Sequence, residues 1–168
     1  MARPHNLPLN HIGLAVDSID KAAEWYTTHF GFRRLRSDAA IDAAQEPDNP
    51  MFRMYGDSLR RVRICWLVAG NGVGFELFEF VDPPVKPAEE LRREFSLQEQ
   101  YQRGGVFHYC VTAPDPVAVA KQACEDGAVQ IGEAWEVGPE KGVYLRDPWG
   151  MVVEVLSCSY ESLLANTA

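Results

Sequence analysis

The chain has 168 residues, of which 46% are hydrophobic and 24% charged, and its formal net charge is −8. This length suits one compact domain or two small modules, and the acidic balance argues against nucleic acid or an anionic membrane as the main partner. No apolar run approaches the roughly 20 residues of a membrane span, and the N-terminus lacks the apolar core of a secretory signal. A cytoplasmic protein is therefore expected, and its four widely spaced cysteines are expected to be reduced thiols.

The first half of the chain predicts a strand, a helix and three further strands. The stretch HIGLAV, residues 11–16, is typical of a strand, and the helix after it is capped by Asp17 or Ser18 and ended by Gly31. The later strands are predicted in FRRLRS, RRVRICWLVA and GVGFELF. An insertion at residues 38–57, rich in Pro, Asp and Asn, is predicted to be a loop.

The second half repeats this order after a linker. The linker starts with a Pro-rich turn and predicts a helix from about Ala88 to Tyr101. Next come the strand HYCVTA, a helix opened by Asp115 and closed by Gly127, and strands in AVQIGEAWEV, KGVYLRD and GMVVEVL. Each half therefore predicts a βαβββ module.

The expected organisation is a single α+β domain spanning residues 1–168. Its parts are a first βαβββ module at 9–80, a linker or lid at 81–104, a second βαβββ module at 105–158 and a C-terminal tail at 159–168.

Strand parity predicts four ionisable side chains on the faces that point away from the helices. His11 and His108 begin the first strand of each half, and Glu76 and Glu154 occupy equivalent positions in the last strands. A carboxylate inside an apolar strand needs a charge partner, and neither glutamate strand contains Lys or Arg. If the two faces converge, the four side chains can hold one divalent metal ion.

Each of these residues also has a purely structural interpretation. A single strand histidine is more often a hydrogen-bonded structural residue, and a single strand glutamate is usually an edge charge. The occurrence of both types at both repeat positions favours the metal site. Glu79, on the opposite face from Glu76, is predicted to be a structural or rim charge, and His5 and His29 are predicted to be surface residues.

Three motifs carry a resemblance to the vicinal oxygen chelate superfamily, which includes glyoxalase I, epimerases, dioxygenases and bleomycin resistance proteins. HIGLAVDSIDKAAEWYTTHFGF resembles the glyoxalase I opening, with Trp25 where Phe is usual, and GGVFHYCVTAPD resembles the opening of the second half. RDPWGMVVEVLS is similar to the Asp-Pro-x-Gly-x-x-x-Glu ending. The resemblance spans about Leu9 to Ser157. It implies two βαβββ modules that form a curved mixed sheet around a divalent metal.

The resemblance also implies the ligands and the chemistry. His11, Glu76, His108 and Glu154 match the four ligand positions, and two imidazoles with two carboxylates suit Zn, Ni, Co, Mn or Fe(II). A lyase or isomerase like glyoxalase I (lactoylglutathione lyase), or an epimerase, is the leading interpretation. In it the metal stabilises an enediolate, and Glu154, or secondly Glu76, carries the proton.

Two other functions stay open. An Fe(II)-dependent ring-cleaving dioxygenase would use His11, His108 and Glu154 without the fourth ligand. A non-catalytic small-molecule-binding resistance protein is disfavoured, because the bleomycin-binding members lack the metal residues. Relatives imply a homodimer acting on a small-molecule substrate, with the site within one chain or between two. The substrate itself stays undetermined.

Overall fold

The computed structural model describes residues 7–86, 90 and 96–165. The chain divides into two compact units, Met1–Val85 and Lys86–Ala168. Among the described residues, no helix is both long enough and apolar enough to cross a membrane.

The first unit contains one mixed sheet with strand order β1-β5-β4-β2, and β3 pairs with the same β4. β1 runs parallel to β5, whereas the other neighbours are antiparallel. The elements are β1 (His11–Ala15), α1 (Ile19–Phe30), β2 (Arg33–Arg34), β3 (Ala39–Asp42), α2 (Pro50–Tyr55), β4 (Arg61–Val68) and β5 (Gly74–Asp82).

The second unit contains one mixed sheet with strand order β6-β9-β8-β7, in which β6 runs parallel to β9. A 3-10 helix, Leu97–Arg103, precedes it. The elements are β6 (Tyr109–Thr112), α3 (Pro116–Glu125), β7 (Val129–Val137), β8 (Glu140–Arg146), β9 (Val152–Leu156) and α4 (Tyr160–Ala165).

The predicted α+β fold with a βαβββ order in each half is confirmed, but the insertion is not the predicted loop. Its residues Ala39–Asp42 pair with the first half of β4, Arg61–Ile64. Without this pairing, the backbone N–H and C=O groups along that edge of β4 would have no partner in the sheet. Its residues Pro50–Tyr55 form α2, whose first turn is capped by Asn49 Oδ1, 3.1 Å from the Met51 amide. Half of the predicted linker helix, residues 88–89 and 91–95, lies outside the described residues, and its last part belongs to the 3-10 helix Leu97–Arg103.

The helices pack on the apolar face of each sheet. Ser18 caps α1, and Gly31 ends it with a φ of 65°. The buried face of α1 brings the Tyr26 ring to 4.8 Å from that of Phe75. The surface prediction for His29 was wrong: it is only 8% exposed, since it continues this buried face at the last turn. His5 lies outside the described residues.

Glu79 connects the sheet to the start of α1. Its Oε2 accepts a hydrogen bond from the Ile19 amide at 3.0 Å and lies 2.9 Å from Arg63 Nη1. Arg63 also pairs with Asp20, at 3.0 Å. A negative charge at this position stabilises the helix N-terminus, so the prediction of a structural charge is confirmed.

Replacing Glu79 by alanine should lower the free energy of unfolding by about 1–2 kcal/mol, because the Ile19 amide and Arg63 lose an acceptor. Urea unfolding of the metal-free protein measures the change. Glu24→Ala, at an exposed position of α1, is the control and should change stability by less than about 0.5 kcal/mol. Equal effects of the two substitutions would contradict the proposed contact role.

Candidate metal centre

His11 and Glu76 form a pair on the open face of the first sheet. His11 Nε2 lies 3.5 Å from Glu76 Oε2, and the side chains are 51% and 25% exposed. The other ring nitrogen, Nδ1, donates to Asn10 Oδ1 at 2.8 Å, because a carbonyl oxygen can only accept. Nε2 is thus the ring nitrogen that faces the carboxylate.

His108 and Glu154 form the equivalent pair in the second sheet. His108 Nε2 lies 3.3 Å from Glu154 Oε2, and these side chains are 29% and 13% exposed. Within the described part of the chain, the buried Nδ1 of His108 has no hydrogen-bond partner. The ring is held instead by edge-to-face contacts with Phe107 and Tyr144, at centroid distances of 5.0 Å and 5.3 Å.

The two pairs arise from the same strand register. Gly13 pairs with Glu76 across the parallel strands of the first sheet, and Cys110 pairs with Glu154 in the second. Each histidine is thus two residues before the residue opposite its glutamate. Because strand side chains alternate, this spacing puts imidazole and carboxylate on one face.

Similar turns set this register before each glutamate strand. In the first unit, Asn71 Oδ1 accepts from the Val73 amide at 3.2 Å, and Gly72 has a φ of 85°. In the second, the buried Asp147 accepts from the Met151 amide at 2.9 Å, and Gly150 has a φ of 91°. These are backbone conformations that glycine adopts without strain.

Glu76 has a second contact on the neighbouring strand. Trp66 lies directly opposite it, and the indole Nε1 donates to Glu76 Oε1 at 3.1 Å. The Arg36 guanidinium lies over the Trp66 ring, 4.7 Å from its centroid, which holds the indole in place.

Tyr144 and Cys110, two weakly acidic groups, lie close to Glu154. Tyr144 lies directly opposite on β8, and burial followed by its hydrogen bond with Glu154 raises the pKa of Tyr144 to about 12. Burial, followed by the charge of Glu154, likewise raises the pKa of Cys110 to about 12. At neutral pH in the metal-free chain both groups are protonated.

Aromatic side chains cover the open face beside Glu76. Phe78 and Phe80 are stacked at a centroid distance of 6.0 Å, and Tyr55 of α2 lies 6.5 Å from Phe80. A Cβ atom at position 13 would lie only 3.3 Å from the Phe78 ring. The absence of a side chain at Gly13 therefore leaves space for this ring. The face therefore offers an apolar wall next to a carboxylate.

The geometry within each pair fits a divalent metal. Two ligand atoms about 2.1 Å from one ion are separated by about 3.0 Å at octahedral angles and about 3.4 Å at tetrahedral angles. The observed nitrogen–oxygen separations, 3.5 Å and 3.3 Å, need only a small adjustment. The hydrogen bond from His11 to Asn10 is also the kind of contact that orients a metal-binding imidazole.

Four predicted ligands thus form two local pairs. Over the described residues, no group of three or more His, Cys, Asp or Glu side chains is close enough to hold a metal ion. The joint four-residue site therefore stays a prediction.

Sequence reasoning missed Asn10, Trp66 and Tyr144 as neighbours of the predicted ligands. A signal for two of them exists in the sequence: Trp66 precedes Glu76, and Tyr144 precedes Glu154, by the same number of positions. Across a tight antiparallel connection, such constant spacing indicates residues that face each other.

A tandem βαβββ repeat with one mixed sheet in each half is the architecture of the glyoxalase-like class of folds. The family model of the Glyoxalase/Bleomycin resistance protein/Dioxygenase superfamily matches residues 8–155. The chain belongs to this superfamily.

Individual relatives agree with this assignment. The chain is 26% identical over 163 residues to a 2-epi-5-epi-valiolone epimerase from Actinomyces sp., covering 92% of this chain and 81% of the relative. A glyoxalase family protein from Bacillus cereus has a similar structure, with a TM-score of 0.73, 19% identity, and 94% and 97% of the two chains covered. A fosfomycin resistance protein from Listeria monocytogenes, solved with Mn(II) and sulfate, has a TM-score of 0.55 at 14% identity, again covering 94% and 97%.

Replacing Gly74 by alanine should disturb His11, because the new Cβ would lie 2.9 Å from the His11 Cβ. We expect the free energy of unfolding to fall by about 1–3 kcal/mol and the His11 imidazole NMR signals to shift. Gly70→Ala is the matched control, since a Cβ at that position would meet nothing within 4 Å, and it should leave both measurements nearly unchanged. Unchanged His11 signals in Gly74→Ala would contradict this close approach.

Proposed function

We propose that the protein is a divalent-metal-dependent enzyme that moves a proton at a carbon next to a carbonyl group. It acts as an epimerase or as a lyase or isomerase of the glyoxalase I kind. The observation that carries the proposal is the His–Glu pair built twice with one register, 3.5 Å apart in the first sheet and 3.3 Å apart in the second. The Actinomyces relative, named as an epimerase, supports the same reaction type.

His11, Glu76, His108 and Glu154 would hold the metal, contributed by one chain or by two. Two imidazole nitrogens and two carboxylate oxygens suit Zn, Ni, Co, Mn or Fe(II), and the carboxylates balance the charge of the ion. When bound, such an ion supplies a Lewis acid for a substrate carbonyl oxygen, which makes the adjacent C–H bond more acidic. The Mn(II) in the fosfomycin resistance protein supports a divalent cation in this fold.

Glu154 is proposed as the proton carrier, with Glu76 as the second choice. Its carboxylate takes the proton from the carbon, and the electron pair of the broken C–H bond moves toward the carbonyl group. Return of the proton by the same carboxyl group to the neighbouring carbon gives an isomer. Epimerisation needs a proton delivered to the opposite face of the first carbon, and Glu76 is the proposed donor for that step. No oxidant or further reactant is needed.

The side chains on the open face beside Glu76 suit the binding of a small organic substrate. Phe78 and Phe80 provide an apolar wall, Glu76 lies on the same face of β5, and the guanidinium of Arg36 lies over Trp66, opposite Glu76. Such a combination of apolar lining and few polar groups is typical of small-molecule sites. Compounds to screen first are 2-epi-5-epi-valiolone, the methylglyoxal–glutathione adduct and methylmalonyl-CoA.

Metal-loaded protein in D2O should exchange deuterium into one of these compounds, as followed by NMR, and removing the metal with EDTA should abolish exchange. Glu154→Gln should lower the exchange rate about 10²- to 10⁴-fold, because a carboxamide cannot carry the proton. Glu76→Gln should weaken metal binding roughly a hundredfold, as measured by calorimetry. Glu79→Gln is the matched control: it lies on the opposite face of the same strand and should bind metal normally.

Other results would point to the alternative functions. Oxygen consumption with catechols by the Fe(II)-loaded protein, retained in Glu76→Gln, would replace the proposal with a dioxygenase. Absence of metal binding after incubation with Ni, Zn, Mn and Fe(II) would instead favour a binding protein.

We also propose that the protein works as a homodimer, which light scattering would test. Mixing inactive His11→Ala and His108→Ala proteins then distinguishes two arrangements of the site. If the site is shared between chains, mixed dimers regain one intact site and part of the activity. If the site is built within a chain, mixing restores nothing.

A further inference from the structure

The edge of the first sheet contains extra residues next to the candidate metal centre. β2 pairs with β4 up to Arg34, and β3 resumes the pairing with the same strand at Ala39. Between these two points, residues 35–38 stand opposite only positions 65 and 66 of β4, so the edge bulges. Extra residues at a sheet edge redirect side chains that would otherwise follow the alternation of a strand.

Two contacts fix the shape of this bulge. The Leu35 amide donates to the Trp66 carbonyl at 2.9 Å, which keeps the first residue of the bulge on the sheet. Arg34 Nη1 donates to both carboxylate oxygens of Asp38, each at 2.8 Å, and so joins the two ends of the bulge. The bulge is therefore held by contacts that do not involve the side chain of Arg36.

Arg36 is an exposed residue of this bulge, and its side chain turns back over β4. Its guanidinium lies over the Trp66 ring, 4.7 Å from the centroid, where the face of the indole attracts a cation. Arg34, Arg60 and Arg63 each pair with an aspartate or a glutamate. Over the residues that the structure describes, Arg36 pairs with no carboxylate, so its charge is not neutralised.

Trp66 connects this guanidinium to the candidate metal centre. The face of the indole carries Arg36, and its edge donates to Glu76 Oε1 at 3.1 Å. Because the strand order is β1-β5-β4-β2, His11 on β1 and Trp66 on β4 lie on opposite sides of Glu76. Two strand spacings amount to about 10 Å. A small molecule bound at the His11–Glu76 pair therefore has a cation within reach on the far side of the carboxylate.

The charges around this place favour an acidic ligand. The chain has a net charge of −8, which repels anions, so a negatively charged substrate needs a local cation at the site. A guanidinium stacked on a ring presents its N–H groups at its own edge, where they suit the paired oxygens of a carboxylate or phosphate. Such charge-assisted hydrogen bonds are stronger than those between neutral groups.

We infer that Arg36, stacked on Trp66, forms a subsite for an oxyanion group of the substrate, either a carboxylate or a phosphate. This inference rests on the proposed function and narrows its substrate class to small carbonyl compounds that carry such a group. Arg36 is a specificity-determining residue in this arrangement. It selects and orients the substrate and takes no part in the transfer of the proton.

Hydroxamates test the subsite, because their two oxygens chelate a metal ion while the rest of the molecule can be varied. The monohydroxamates of succinic and glutaric acid carry a free carboxylate, and their methyl esters are the neutral counterparts. In calorimetry with the Mn(II)-loaded protein, we expect one of the acids to bind about tenfold or more tighter than its ester. Arg36→Met should reduce this preference to less than about threefold.

A phosphonate distinguishes the two kinds of oxyanion. The hydroxamate of 3-phosphonopropanoic acid has the same spacing as that of succinic acid. Tighter binding of the phosphonate would assign a phosphorylated substrate, and tighter binding of the carboxylate would assign a carboxylic acid. In both cases the Arg36→Met protein should lose the preference for the charged compound.

Arg53→Met is the matched control. Arg53 is an exposed arginine of α2 that likewise pairs with no carboxylate in the described part of the chain, and it lines a separate cavity of about 340 Å³ with Pro47 and Leu59. Its replacement removes the same charge and should leave the preference for the acid unchanged. General loss of structure would weaken the binding of acid and ester alike, so the ratio of the two affinities reports on the subsite.

Failure of the inference differs from failure of the proposed function. If the hydroxamates bind the Mn(II)-loaded protein but Arg36→Met keeps the preference for the acid, the inference is wrong and the metal site stands. Absence of any such preference in the unaltered protein, or an equal loss in Arg53→Met, would also overturn it. If the protein binds no Mn(II), the proposed function is wrong and the inference falls with it.

Discussion

The parallel pairing of the first strand with the last strand in each module is the constraint on which the candidate site depends. A slip of one residue would turn every side chain of a strand to the other face and would separate histidine from glutamate. The turns at Gly72 and Gly150 start the glutamate strands at the same point in both units. Backbone hydrogen bonds just after the histidine strands continue this register. The Val16 amide donates to the Phe78 carbonyl, and the Ala113 amide donates to the Leu156 carbonyl.

Glu76 and Glu79 belong to the same strand but lie on its opposite faces, and they have different partners there. Glu79 faces the helix side, where it joins the Ile19 amide and Arg63 and stabilises the start of α1. Glu76 faces the open side, where an imidazole and an indole N–H are its partners. The same residue type therefore serves the core on one face and the candidate site on the other.

Duplication of the ligands does not make the two halves chemically equal. The two imidazole–carboxylate pairs are similar, but the groups around them differ. His11 is oriented by Asn10, whereas His108 is held by the rings of Phe107 and Tyr144. Glu154 is also the less exposed carboxylate, at 13% against 25% for Glu76. The two carboxylates therefore have different surroundings although their strand register is the same.

The sequence by itself determined the module order, the cap at Asp115 and the face of each predicted ligand, because these follow from local periodicity and turn chemistry. It narrowed the first cap to Asp17 or Ser18, and the structure shows Ser18 in that role. It did not predict β3, whose residues form a strand only because β4 offers them an edge. Sequence reasoning also missed Trp66 and Tyr144: their equal spacing before the glutamates is a signal, but their positions opposite the glutamates depend on the pairing of two antiparallel strands. Local patterns thus decided which residues share a face, and tertiary pairing decided which of them meet, because a hydrogen bond between strands depends on register and not on composition.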